Sequence, residues 1–133
     1  MVERCFRIAH SYLLELLMPD YALTKNKSDL TLSGDAEYQD ERVVLTPNET
    51  SQVGSAFMAT SISASSSFVV EMTFRITTAA GQDQGADGMA FVCLSQSGQT
   101  PKPKLLGEGG AGLGYDGLGS ESDWAVEIDT YQT

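Results

Sequence analysis

Phe68-Val69-Val70-Glu71-Met72-Thr73-Phe74-Arg75-Ile76 is the stretch that decides the architecture. Phe68, Val70, Met72, Phe74 and Ile76 fall on every second position, with Glu71, Thr73 and Arg75 between them. Successive side chains of a strand point to opposite faces, so this is a long strand with one apolar and one wet face. Antiparallel sheets tolerate such half-burial. The flanking sequence follows suit. Upstream, Leu30-Thr31-Leu32 alternates before a turn at Ser33-Gly34-Asp35. Arg42-Val43-Val44-Leu45-Thr46 is a strand stopped by Pro47 and Asn48, and Gly54-Ser55-Ala56-Phe57-Met58-Ala59-Thr60 is another. Downstream, residues 88–94 are apolar on both faces, as a central strand covered on each side requires. A turn-rich segment with Pro101 and Pro103 follows. Strands at this spacing without helical periodicity between them predict an all-β fold, an antiparallel β-sandwich.

The last strand is Trp124-Ala125-Val126-Glu127-Ile128-Asp129, continuing into Thr130-Tyr131-Gln132. Trp124, Val126 and Ile128 read as a buried face. Glu127 and Asp129 share the other face, about 6–7 Å apart at ~3.3 Å per residue. Two acids that close repel unless a cation, a proton or a basic partner lies between them. The plainer reading is a strand edge with two solvated acids.

Residues 1–20 have a different character. Val2, Phe6, Ala9, Leu13 and Leu16 recur at three- and four-residue steps up to Pro19, which predicts a short amphipathic N-terminal helix. A secretion signal competes with that reading, but Arg7, His10 and Glu15 interrupt its apolar stretch. A leader foreign to the domain is the third option, and His10 reads as a surface residue in any of them. The expected organisation is therefore a helix or leader over 1–20 and one sandwich over 21–133.

A chain of 133 residues holds one domain with a real core. Its formal net charge of −10, from 18 acids and 8 bases, argues against nucleic acid and anionic membrane as partners. No glycine cluster is followed by Lys-Ser or Lys-Thr, so a phosphate loop is absent. No run approaches the ~20 apolar residues that span a bilayer. Cys93 sits in an apolar run and reads as a small buried hydrophobe, with no bridge to Cys5 expected. Asn26-Lys27-Ser28 and Asn48-Glu49-Thr50 are glycosylation sequons in expected loops.

Three motifs occur in order: Ala86-Asp87-Gly88-Met89-Ala90-Phe91-Val92, Gly109-Gly110-Ala111-Gly112-Leu113-Gly114-Tyr115, and Ala125-Val126-Glu127-Ile128-Asp129-Thr130-Tyr131. Together they resemble the legume-type (L-type) lectins, over about residues 28–133. The resemblance implies a jelly-roll, concanavalin-like sandwich that binds carbohydrate without catalysis. It implies that Asp87 accepts hydrogen bonds from sugar hydroxyls after a cis Ala86–Asp87 bond. A backbone N–H of the Gly-rich loop would donate to the sugar from Ala111, with Gly110 beside it. Glu127 would bind Mn2+, Asp129 would bridge it to Ca2+, and the Tyr131 carbonyl would add a calcium ligand. Calcium takes six to eight hard oxygen ligands, so such a set is chemically apt.

The chain departs from the family pattern in two places. Ala111 keeps its N–H but adds a methyl where close approach is needed. Thr133 stands where the family has an asparagine serving calcium and sugar; its hydroxyl offers one oxygen but no amide donor. The acid and histidine that follow in the family lie past Thr133, so the resemblance is to a domain incomplete at the C-terminus, expected to bind metal weakly or not at all. Glycans are the implied partners, with a homo-oligomer formed through flat sheets as a further expectation. Secretion follows by family analogy.

Glu127-Ile128-Asp129 also resembles the active-site strand of laminarinase-like glycoside hydrolases. That mechanism needs a second carboxylic acid just beyond Asp129, and Thr130, Tyr131, Gln132 and Thr133 supply none. A non-enzymatic protein is expected. A structural or partner-binding sandwich with vestigial acids is the remaining alternative.

Overall fold

The computed structural model describes residues 2–9, 21–22, 27–59, 61, 69–78, 85–95, 105–118 and 124–131. Their regular structure is nine strands: β1 (Val2–Ala9), β2 (Tyr21–Ala22), β3 (Leu30–Gly34), β4 (Glu37–Gln39), β5 (Arg42–Val44), β6 (Gly54–Met58), β7 (Val69–Ile76), β8 (Gly88–Cys93) and β9 (Trp124–Asp129). Two 3-10 turns, Lys27–Asp29 and Gly110–Gly112, complete the set. Every strand pairing is antiparallel.

β1 is the spine of a five-stranded sheet. It pairs with β7 along all eight residues, from Val2 opposite Ile76 to Ala9 opposite Val69. Its other edge is shared by β5 and β2, at Glu3↔Val44 and Ile8↔Tyr21. β4 closes on β5, and β3 pairs with β6 in a second sheet. β8 and β9 form a third, from Gly88 opposite Asp129 to Cys93 opposite Trp124.

The sheets meet at one core. Val43, Leu45 and Met89 are buried, and Leu30, Leu32, Ala36, Tyr38, Ala56, Met72, Ile76 and Ile128 pack against them. These residues come from all three sheets, which is what makes the assembly a sandwich. Its all-β, antiparallel character is as the alternation of residues 68–76 predicts.

The N-terminal helix expected within residues 1–20 is corrected over 2–9, where the chain is β1. The apolar residues there follow a three-to-four-residue rhythm, yet Val2, Phe6 and Ile8 also alternate with Glu3 and Arg7. Pairing on both edges satisfies the backbone of this segment as a strand, and tertiary context overrides a weak local preference. His10 and Pro19 lie outside the described residues.

Two further expectations change. Trp124 is 46% exposed and Val126 55%, so β9 has no fully buried residue; Ala125 and Ile128 are half-buried, and Ile128 packs against the core. β8, expected to be central, pairs among the described residues with β9 alone. The β4–β5 hairpin was not foreseen. Its two loop residues, Asp40 and Glu41, both have positive φ (50° and 60°). That geometry belongs to a tight hairpin usually marked by Asn-Gly, and here two acids adopt it.

Candidate functional site

The site is built where β8, β9 and the loop 105–118 converge. Asp87 immediately precedes β8, and the Ala86–Asp87 peptide bond is cis, as the resemblance implies. Gly88 follows with φ +144°, and a Cβ there would sit 2.3 Å from the carbonyl oxygen of Ile128. β9 therefore crosses so closely that only glycine fits. Thr130 then fastens the end of β9 to this turn. Its N–H donates to the Asp87 carbonyl at 3.0 Å, and its hydroxyl donates to the Gly85 carbonyl at 2.6 Å.

The Gly-rich loop is no slack connector. The N–H of Gly107 donates to the Gly114 carbonyl at 2.9 Å, that of Gly114 to Glu108 at 2.7 Å, and that of Glu108 to Asp116 at 2.9 Å. Gly110–Gly112 forms a 3-10 turn that ends at Leu113 in the left-handed region. Within such a turn the first N–H groups, here of Gly110 and Ala111, have no intrahelical partner. The loop rests on β6 and its approach. Ser55 donates its hydroxyl to the Leu105 carbonyl, and a Cβ on Gly109 or Gly114 would touch the Val53 side chain at 3.3 or 3.5 Å. Val53 is itself held, donating its N–H to Asp35 Oδ2 and accepting from the Asp35 N–H, both at 2.9 Å.

This arrangement brings Gly110 to Asp87. A Cβ built on Gly110 would lie 3.8 Å from Asp87 Oδ2. Asp87 and Gly110, 23 positions apart in the sequence and in separate motifs, thus meet at one carboxylate. Asp87 is half-buried, whereas Gly110 and Ala111 are exposed, so the meeting point is open to solvent.

Glu127 and Asp129 lie on one face of β9, opposite Ala90 and Gly88. Those small partners leave the acids room. Each carboxylate already accepts a hydrogen bond. Tyr115, from the loop, donates its hydroxyl to Glu127 Oε1, and the Tyr131 N–H donates to Asp129 Oδ1 at 2.8 Å. The hydrogen bond to Glu127, followed by desolvation and the charges of Glu127 and Asp116, raises the Tyr115 phenol above its ordinary value.

Among the described residues, no three His, Cys, Asp or Glu side chains come together as a metal cradle. Glu127, Asp129 and the Tyr131 carbonyl make three candidate ligands, against the six to eight oxygens calcium needs. The described residues by themselves do not fit the ion pair that the resemblance implies. Thr133 lies outside them.

The remaining features stand apart from this site. An open cleft of about 490 Å³ is lined by Lys27, Leu30, Leu32, Ala36, Glu37 and Tyr38, none of which belongs to the three motifs. Cys93 is a free thiol, and burial raises its pKa. Asn48 is exposed, whereas Asn26 lies outside the described residues.

The chain matches the family described as "Legume lectin domain" over residues 17–133. It belongs to that family. No curated protein and no solved structure matches it. Membership carries a carbohydrate-binding, lectin-like character, and legume lectin domains are in general non-enzymatic and bind Ca2+ and Mn2+. No helix among the described residues is long and apolar enough to cross a membrane. Reasoning from the sequence of this legume lectin domain did not single out Tyr115 and Thr130, whose hydrogen bonds join the loop and the Asp87 turn to β9. Both stood inside quoted motifs, but only the fold brings Tyr115 to Glu127.

Proposed function

We propose that this legume lectin domain, within residues 21–133, is a non-catalytic carbohydrate-binding module whose sugar site is the Asp87 carboxylate faced by the Gly110–Ala111 backbone. The approach of Gly110 to Asp87 Oδ2 carries this reading. A sugar presents adjacent hydroxyls that donate and accept at once. Asp87 accepts from two of them, and N–H groups of the loop donate to a third oxygen. Hydrogen bonds to an ionised group contribute about 1.5–3 kcal/mol each, enough for a weak but specific monosaccharide contact.

All of these contacts come from the protein's own groups. Glu127, Asp129 and the Tyr131 carbonyl are the candidates for the divalent ions the family uses, with Thr133 the candidate for an additional oxygen. Two carboxylates and a carbonyl alone would hold calcium no tighter than about 1 mM. The hydrolase alternative calls for a further carboxylic acid just beyond Asp129, where the sequence has Thr130 and Tyr131. Glycans or glycoproteins are the partners, and a homo-oligomer would multiply weak contacts.

Glycan-array binding and titration calorimetry test the reading. Wild-type protein is expected to bind at least one neutral glycan, and Asp87→Asn to lose at least tenfold in affinity. Binding that Asp87→Asn leaves unchanged would place the site elsewhere.

A further inference from the structure

We infer that Tyr115 is the positioning residue of this sugar site: by donating its hydroxyl to Glu127, it fastens the Gly-rich loop to β9 and holds Gly110 at Asp87. The inference rests on the carbohydrate-binding reading above and adds a part to it.

One flank of the loop 105–118 lies against the sandwich at Ser55, Val53 and Gly34. Those approaches involve residues 105, 106, 109 and 114. They leave the turn at Gly110–Gly112, the part that meets Asp87, to be aimed by the loop's opposite flank. Tyr115 is on that flank, three residues after Gly112. Its N–H donates to the Gly112 carbonyl at 2.9 Å, so the ring and the turn move as one piece. The phenol reaches β9 at Glu127, opposite Ala90 on β8 and two residues from Asp129, the partner of Gly88. The same strand pair carries Asp87 at its start. Loop and carboxylate are therefore referenced to one strand pair, and the Tyr115–Glu127 bond is a side-chain link between the loop and that pair.

The local chemistry favours this link. Ala90 across from Glu127 is too small to shield it, and Asp129 on the same face repels it. A phenol O–H offered to the carboxylate offsets that repulsion and gives Glu127 a use that does not depend on an ion. Phenylalanine at position 115 would keep the ring and remove only the donor. A loop released from β9 still has its internal hydrogen bonds, so it would shift as a body and lose aim at Asp87 without unfolding.

The test compares Tyr115→Phe, Glu127→Ala, Glu127→Gln and the Tyr115→Phe/Glu127→Ala double variant with wild type in the full chain. Affinity is read by calorimetry with methyl α-mannoside, methyl β-galactoside and N-acetylglucosamine, beside melting temperature. Tyr115→Phe is expected to weaken sugar binding about tenfold with the melting temperature little changed. The double variant should lose no more than the worse single one, because both remove the same bond. Glu127→Gln, which retains an acceptor oxygen, should recover part of what Glu127→Ala loses. If wild type binds and Asp87→Asn abolishes binding, but Tyr115→Phe binds as wild type, the positioning role fails alone. Additive losses in the double variant also overturn it. If wild type binds none of these sugars and no neutral glycan on the array, the carbohydrate reading fails and the positioning role falls with it.

Discussion

At Gly88 the reason for the residue is geometric. The chain turns through positive φ there while the Ile128 carbonyl lies where a Cβ would be, so both the dihedral and the space exclude a side chain. Gly88→Ala is expected to destabilise the domain by about 2 kcal/mol or more, measurable as a shift in urea midpoint. Tyr115 gives a pH signature. Its phenol is raised above the ordinary value near 10, so its hydrogen bond stabilises fully below about pH 10 and is lost as pH rises through the raised value. Tyrosinate absorbance should therefore show a late-ionising phenol that is absent in Tyr115→Phe. Titration curves identical in wild type and Tyr115→Phe at high pH would contradict the contact.

Among elements, the β4–β5 hairpin and β8 carry the clearest expectations. Asp40 and Glu41 pay backbone strain at positive φ, with the Arg42 guanidinium 3.3 Å from Asp40 Oδ2. Replacing Asp40-Glu41 with Asn-Gly should stabilise the domain by roughly 0.5–1 kcal/mol, seen as a raised melting temperature. Met89, 2% exposed at the junction of the sheets, is the opposite case. Met89→Ala should cost about 2–4 kcal/mol through lost burial and a residual cavity. Legibility in the sequence follows the same division. β3, β5, β6, β7, β8 and β9 announce themselves by alternation or apolar runs bounded by turn residues. β4 is three residues long behind an acidic turn, and β2 is two, too short for any period to register. β1 carries two competing rhythms, and only its pairing on both edges decides between them. The site was half legible. Asp87, the glycines, Glu127 and Asp129 could be named from ordered motifs, whereas Tyr115 and Thr130 act through contacts that join separate segments, and no local spacing encodes those.

For the whole molecule, the charge of −10 sets which ligands can approach. An acidic surface repels anions over about a Debye length, ~8–10 Å at physiological salt, and Asp87, Glu127 and Asp129 add to that field at the site. Neutral glycans should therefore be preferred to sialylated or sulfated ones carrying the same core sugar. The preference should shrink as salt is raised on a glycan array, and an anionic glycan favoured at low salt would contradict it.

Cross-linked by its own amides and seated on Val53, the loop 105–118 has its shape before any ligand arrives. Capture of a hydroxylated guest would then freeze little chain motion, so even a handful of contacts yields usable occupancy. If this loop receives the sugar, Asp35, which exchanges two hydrogen bonds with Val53, would act on recognition from a distance: loosening it would soften the receiving surface and make the loop's order a cost of every encounter.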